Sequence, residues 1–105
     1  MASYRLNEDA DEDLDRLYEY GVLTFGLIQA DSYYDGLIQR FHELIETPRI
    51  WQAVDHIRVG YRRSVYGSHS IYYRIDGDNV EIMRILGHED TKDSFSTPIA
   101  LTNRA

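Results

Sequence analysis

Arg58, Arg62, Arg63, Arg74 and Arg84, with His69 and His88, are the side chains best suited to chemistry, and all but His88 fall within residues 57–86. A guanidinium presents a rigid planar fork that pairs bidentately with carboxylate or phosphate. Tyr61, Tyr66, Tyr72 and Tyr73 interleave with these arginines. The chemistry on offer is therefore recognition of an acidic group. His69 at a hairpin tip and His88 at a strand end are the histidines placed for acid/base work. His42 and His56 are scattered, and the spacing of the histidines does not suggest a metal site. With no cysteine, thiolate metal sites and disulfides are excluded. The chain carries no glycine-rich phosphate loop, no His-Glu-x-x-His and no serine nucleophile motif, so no metal and no cofactor are expected.

The elements that must position these side chains are three antiparallel strands in residues 57–86. Gly67-Ser68 has the glycine-first form of a type II′ hairpin, and the run from Asp76 to Asn79 contains an Asp-Gly turn signal. A two-residue turn fixes the register. It pairs Tyr66 with His69, Ser64 with Ile71, Arg62 with Tyr73 and Gly60 with Ile75. On the other face it pairs Val65 with Ser70, Arg63 with Tyr72 and Tyr61 with Arg74. The second turn extends the register: Arg74 to Glu81, Tyr73 to Ile82, Tyr72 to Met83, Ile71 to Arg84 and His69 to Leu86. One face then holds Ile71, Tyr73, Ile75, Val80, Ile82 and Leu86 for packing; the other holds Tyr61, Arg63, Tyr72, Arg74, Glu81 and Met83. Two readings of the Arg/Tyr face stand side by side. It is a binding surface, or a set of ordinary cross-strand pairs in which Glu81 neutralises Arg74 and each Arg–Tyr contact adds about 0.5–1 kcal/mol.

Ser3 to Leu6 alternates polar and apolar residues and predicts a short strand. Asn7 then caps a first helix whose opening turn is acidic, at the positive end of the dipole, and whose stripe is Ala10, Leu14, Leu17 and Tyr18. A solvated face outranks a partner surface as the reading of its acids. Gly21 is the expected C-cap and Thr24 the expected cap of a second helix over residues 25–46, which Pro48 ends. Its stripe is Ala30, Tyr34, Leu37, Phe41, Leu44 and Ile45, flanked by Leu27, Tyr33 and Ile38. Gly36, unfavourable in a helix interior, marks close approach to a neighbour. Residues 49–56 predict a loop that tucks Trp51 onto the core. The expected fold class is α+β: a short N-terminal strand and an antiparallel helical hairpin packed on a three-strand meander.

The 105 residues predict a single domain over residues 1–95, followed by a loose tail over 96–105 that lacks periodicity. The polar, acidic start carries no apolar signal segment and no stretch approaches a membrane span, so a cytoplasmic protein is expected. Net charge is −7, with 11 acids against 3 bases in residues 1–46 but 5 arginines against 1 aspartate in residues 49–75. The overall sign argues against direct nucleic-acid binding, while the first meander strands form a local basic patch.

Gly60-Tyr61-Arg62-Arg63, Gly67-Ser68-His69-Ser70-Ile71-Tyr72-Tyr73-Arg74 and Val80-Glu81-Ile82-Met83-Arg84-Ile85-Leu86-Gly87-His88 together resemble the RelE/ParE toxin superfamily, the ParE branch in particular. The resemblance covers residues 3–95. It departs after the last strand, where Leu86-Gly87-His88-Glu89-Asp90 is more acidic than the branch's usual ending. RelE-like members cleave mRNA on the ribosome, whereas ParE-like members act on DNA gyrase and are neutralised by a ParD-type antitoxin. The resemblance places Arg62, Ser64, Ser70, Glu89 and Phe95 at the positions where RelE-like nucleases carry basic residues and a tyrosine. Only Arg62 keeps the charge; Glu89 repels phosphate and Phe95 moves no proton. His69 and His88 are the available substitutes.

What the resemblance implies is a non-enzymatic toxin of a type II toxin–antitoxin system that inhibits DNA gyrase by protein contact and forms a hetero-oligomer with a ParD-like antitoxin. The RelE-like endonuclease is the alternative. The expected gyrase-facing set is Arg58, Arg62, Arg63, Arg74, Arg84 and His88; the expected antitoxin-facing set is Leu14, Leu17, Tyr18, Tyr33, Leu37 and Tyr72.

Overall fold

A computed structural model describes residues 2–87. His88, Glu89, Phe95, the domain end at residue 95 and the tail lie outside the described residues. The elements run β1 (Tyr4–Leu6), α1 (Glu8–Phe25), α2 (Leu27–Glu46), β2 (Gln52–Ala53), β3 (Tyr61–Tyr66), β4 (His69–Asp76) and β5 (Asn79–Gly87). They form an α+β domain in which the strands make one sheet ordered β1-β5-β4-β3-β2. The meander β3–β4–β5 is antiparallel throughout, and β1 adds to β5 in parallel. The loop before the meander contributes more than a tuck for Trp51: Gln52 and Ala53 pair with Arg63 and Arg62 as a short edge strand.

Asn7 caps α1 as its position predicts. Its side-chain oxygen accepts the Ala10 N–H at 2.8 Å, and Glu8, Asp9 and Asp11 occupy the first turn. The hairpin boundary differs from the expected one. Gly21 is not a C-cap, and Thr24 caps nothing; α1 continues to Phe25, and Gly26 alone separates the helices at φ +93°. Gly21 lies within α1 beside Ala30 of α2, where a Cβ would make an ordinary 3.5 Å contact with the Ala30 Cβ. Gly26 supplies the positive φ that a side chain resists.

One core lies between the hairpin and the sheet, built from Leu14, Leu37, Phe41, Ile71, Tyr73 and Ile82 with their neighbours. A smaller cluster of Val54, Tyr72 and Leu86 sits apart, with Ile57 and Tyr61 against it. Trp51 packs against the main core, and Gly36 meets the Tyr66 side chain at close range.

The expected β3–β4 pairs from Tyr61–Arg74 to Tyr66–His69 are present, but Gly60 does not pair with Ile75, because β3 begins at Tyr61 and Gly60 belongs to the turn before it. The β4–β5 register agrees from Asp76–Asn79 through Tyr73–Ile82, and then a bulge shifts it by one. Tyr72 therefore faces Arg84 instead of Met83, Ile71 faces Ile85 instead of Arg84, and His69 faces Gly87 instead of Leu86. An unbroken register would have put Arg84 opposite Ile71 on the core-facing side. The extra residue brings Ile85 into the main core and sends Leu86 to the Tyr72 cluster.

Candidate functional site

The arginine-bearing side of the sheet is the first candidate surface. Arg74 and Tyr61 sit opposite one another, as do Arg63 and Tyr72. Burial pushes the Tyr61 hydroxyl up from its ordinary pKa, while the charges of Arg58, Arg74 and Arg84 pull it down without reversing the shift. Arg58, Arg74 and Arg84 are thus gathered around one tyrosine. Arg62 is not among them. Alternation sends it to the opposite side, where its Nη1 donates to the carbonyl oxygens of Trp51 at 2.7 Å and Arg49 at 3.1 Å.

Much of this charge is already matched within the chain. The Arg74 Nε and Nη2 donate to the Glu81 Oε1 at 2.8 and 2.6 Å, and Arg5 reaches Glu81 Oε2 at 3.0 Å. Burial works against the Glu81 charge, yet hydrogen bonds from Arg74 and Arg5 hold its carboxyl below the ordinary range. Arg84 forks onto Asp13, at 2.7 and 3.0 Å, and this contact raises its pKa despite opposing burial. Arg63 donates to the Gln52 side chain at 2.8 Å. The cation–π stacking among the described residues does not use the expected cross-strand pairs. It centres on Arg40 of α2, whose guanidinium lies 4.8 Å from the Trp51 ring and 5.3 Å from the Tyr66 ring.

The positions a nuclease would need are occupied structurally. Ser64 is 1% exposed, and its hydroxyl accepts from Arg40 at 2.7 Å. Ser70 is 2% exposed. His69 is tied to Tyr33, whose hydroxyl lies 2.7 Å from its Nδ1, accepts the Ser68 N–H at 3.2 Å and donates to the Tyr66 carbonyl at 3.0 Å. Among the described residues no group of three His, Cys, Asp or Glu is placed to hold a metal, and no helix is long and apolar enough to cross a membrane.

The second candidate surface is the hairpin. Of the expected antitoxin-facing residues, Leu37 and Tyr72 are fully buried and Leu14 is 5% exposed, so these three pack within the fold and offer no docking surface. Tyr72 is also remote in kind from the others, on the far cluster. Leu17, Tyr18 and Tyr33 are half-buried and line a groove of about 230 Å³ between the hairpin and the β3–β4 turn. Tyr18 donates to Asp31 at 2.6 Å, and that carboxylate raises its pKa.

Sequence reasoning missed three features. Asp13 reads as one acid among many on α1, yet it is 2% exposed. Arg40, the one arginine on α2, has no sequence signal for its place over the Trp51 and Tyr66 rings. The tip residues Tyr20, Leu23, Phe25, Leu27 and Ile28 are strongly exposed, and the signal that marks them is an uncharged run between acidic helices.

A helical hairpin on one face of a small sheet and gathered arginines on the other define a domain of the RelE/ParE toxin superfamily. Solved structures bear the same fold. A chain from the chromosomal ParDE toxin–antitoxin system of P. aeruginosa superposes with a TM-score of 0.71 at 21% identity, covering 83% of this chain and 96% of that one. A chain from the RelBE2 toxin–antitoxin complex of Mycobacterium tuberculosis gives a TM-score of 0.62 at 21% identity, over 84% and 92%. The family model for the ParE toxin of the type II toxin–antitoxin system parDE matches residues 4–91. Toxin ParE1 of Caulobacter vibrioides is 38% identical over 86 residues, 82% of this chain and 88% of that protein. Toxin ParE1 of Mycobacterium tuberculosis is 32% identical over 84 residues, 79% and 86%. The chain belongs to the ParE toxin family of type II toxin–antitoxin systems.

Proposed function

We propose that this toxin inhibits DNA gyrase by protein–protein contact in the cytoplasm, without catalysis, and is held inactive in a hetero-oligomer with a ParD-like antitoxin. The observation that carries the non-catalytic reading is the state of the nuclease positions. Arg62 is spent on two backbone carbonyls, and Ser64 and Ser70 are buried. Phosphoryl chemistry on RNA needs groups that reach the scissile phosphate and move protons beside it.

The gyrase-facing surface is the side of the sheet around Tyr61, with Arg58, Arg63, Arg74 and Arg84 as contacts; His88, the next residue in sequence after β5, completes the set. Arg62 is assigned to the scaffold. Arginines held by carboxylates on a sheet are preorganised, which suits recognition of a protein surface more than capture of a mobile RNA strand. The antitoxin faces the hairpin groove through Leu17, Tyr18 and Tyr33, and covers the toxin sterically.

The test is a supercoiling assay with purified gyrase, run beside cleavage of ribosome-bound mRNA. Inhibition in the first with intact mRNA in the second supports the proposal. Codon-positioned cuts lost in His88→Ala would establish the endonuclease instead.

A further inference from the structure

A cavity of about 360 Å³ opens at the end of the sheet where β3 begins and β4 turns into β5. Arg49, Ala53, Asp55, Arg62, Ile75 and Gly77 are among the residues that line it, and it shares none with the hairpin groove. Its volume falls in the range of about 300–1,000 Å³ over which proteins take small ligands.

Arg62 is the fixed element of this cavity. Its Nη1 donates to the Trp51 and Arg49 carbonyl oxygens at 2.7 and 3.1 Å, which holds the guanidinium plane in place. Only that nitrogen is used; Nε and Nη2 have no partner among the described residues. A guanidinium held at one corner, with its other N–H groups unmatched, is preorganised for an oxyanion. One of the two anchors is the Arg49 carbonyl, so the backbone that carries a second guanidinium is tied to the first. The Arg49 side chain is exposed and makes no ion pair or hydrogen bond among the described residues. Arg5, Arg40, Arg74 and Arg84, by contrast, all hold carboxylates. Two arginines without a carboxylate partner therefore line one cavity.

Asp55 is the acid on the cavity wall. Its Oδ1 accepts the Gly60 N–H at 2.7 Å, which binds the carboxylate into the turn before β3. Asp76 and Asp78 flank Gly77 without lining the cavity, and both are exposed, where salt screens them. Two guanidiniums against one carboxylate leave the wall positive. Ala53 and Ile75 add an apolar side, which an inorganic anion alone would leave unused.

We propose that this cavity binds a small phosphate monoester, its phosphoryl oxygens held between Arg62 and Arg49 and its organic part laid against Ala53 and Ile75. A phosphoryl group near double charge matches two guanidiniums, and its three acceptor oxygens serve the Arg62 fork and Arg49 together. Neither arginine belongs to the surface assigned to gyrase, so the site is independent of that reading. An occupied site ties the loop after α2 to the start of β3.

The probes are glycerol 3-phosphate, inorganic phosphate and succinate, titrated calorimetrically into the full-length toxin at constant ionic strength and about pH 8, where the phosphates are dianions. Glycerol 3-phosphate should bind saturably with a Kd below about 1 mM, and the other two about tenfold or more weaker. Arg49→Gln removes a side chain that supports nothing else among the described residues, and it should weaken binding about tenfold. Arg62→Lys keeps the charge, loses the fork and should do the same. Asp55→Asn retains an acceptor for the Gly60 N–H and should tighten binding about threefold or more, because a repelling charge is gone. Arg5→Gln, on the strand at the opposite edge of the sheet, should change nothing. Thermal melts confirm that each variant is folded; should Arg62→Lys not fold, Arg49→Gln and Asp55→Asn decide the matter. Failure of glycerol 3-phosphate to saturate would overturn the proposal. So would equal affinity for succinate or inorganic phosphate, unchanged binding in either folded arginine variant, weaker binding in Asp55→Asn, or the same loss in Arg5→Gln. None of these readouts involves gyrase or the antitoxin.

Discussion

Asp13 of α1 and Arg84 of β5 join through a two-pronged ion pair, at 2.7 and 3.0 Å, although they are 71 positions apart. The same carboxylate accepts the Ile85 N–H at 2.9 Å and pairs with Arg16. β1 reaches only as far as Ile82, so among the described residues no strand covers β5 beyond it on that side, and Asp13 takes the place of a strand partner. Asp13→Ala should therefore cost about 3 kcal/mol in urea unfolding, the lower end for breaking a buried pair, because Arg84 keeps partial access to water. Asp13→Asn, which retains an acceptor, should cost less. Equal stability of the alanine variant and the parent would show that the pair does not anchor α1.

That pair also explains where sequence reading stopped. The Gly67-Ser68 turn specified the β3–β4 register outright, because a two-residue hairpin leaves no slack. The β4–β5 register was legible to Tyr73–Ile82 and no further. Nothing local in Glu81-Ile82-Met83-Arg84 announces a bulge; what drives it is the demand that Ile85, not Arg84, face the helices while Arg84 finds Asp13. Gly21 is not the cap because α1 stays helical to Phe25 and the positive φ falls at Gly26. The candidate site divides likewise. Arg74 lies on that sheet face as alternation requires, but Arg58 comes from the turn before β3, Arg84 takes its place only through the bulge, and alternation separates Arg62 from its neighbour Arg63. Leu14 and Leu37 were legible as apolar and helical, while their burial depended on a sheet formed later in the chain.

Tyr73 gives an alkaline stability window. Its ring is fully buried, its hydroxyl donates to the Pro48 carbonyl at 2.6 Å, and burial pushes its pKa from 10.0 up to about 12 against the opposing charge of Arg62. Between these values the folded chain keeps a proton that the unfolded chain has lost. Stability from this group is full below the unfolded value and falls as pH rises through the folded one, by roughly 2–3 kcal/mol in all. Tyr73→Phe should be about 1 kcal/mol less stable at pH 7 and should lose this share of the alkaline decline. Parallel stability curves for the two proteins above pH 10 would contradict the assignment.

Gly36 lies in the interior of α2, where alanine would ordinarily add about 1 kcal/mol of helix stability. Here the added Cβ would fall inside the Tyr66 hydroxyl, and Tyr66 has little freedom to withdraw, being packed edge-on against Tyr33 and covered by Arg40. Gly36→Ala should be destabilising by about 1–3 kcal/mol, as overpacking is. In a Tyr66→Ala background the same substitution should turn neutral or stabilising. A double-mutant cycle by thermal unfolding measures the reversal, and additive effects would rule out the clash.

Arg62 and Arg63 are adjacent in sequence, on opposite sides of β3, and assigned opposite roles. Arg63→Glu reverses a charge on the proposed gyrase-facing surface, where the lost partner is the exposed side chain of Gln52. Gyrase inhibition should weaken by about tenfold or more, since removal of a central arginine anchor commonly costs this much in binding. Its melting temperature should stay near that of the parent. Arg62→Ala instead removes the donor to the Trp51 and Arg49 carbonyls and should lower stability by about 1.5–3 kcal/mol. The folded fraction of that variant should inhibit gyrase as the parent does. Supercoiling assays normalised to folded protein, run beside thermal melts, separate the two roles. If Arg62→Ala abolished inhibition while Arg63→Glu retained it, the toxic surface would lie on the helical side of the sheet.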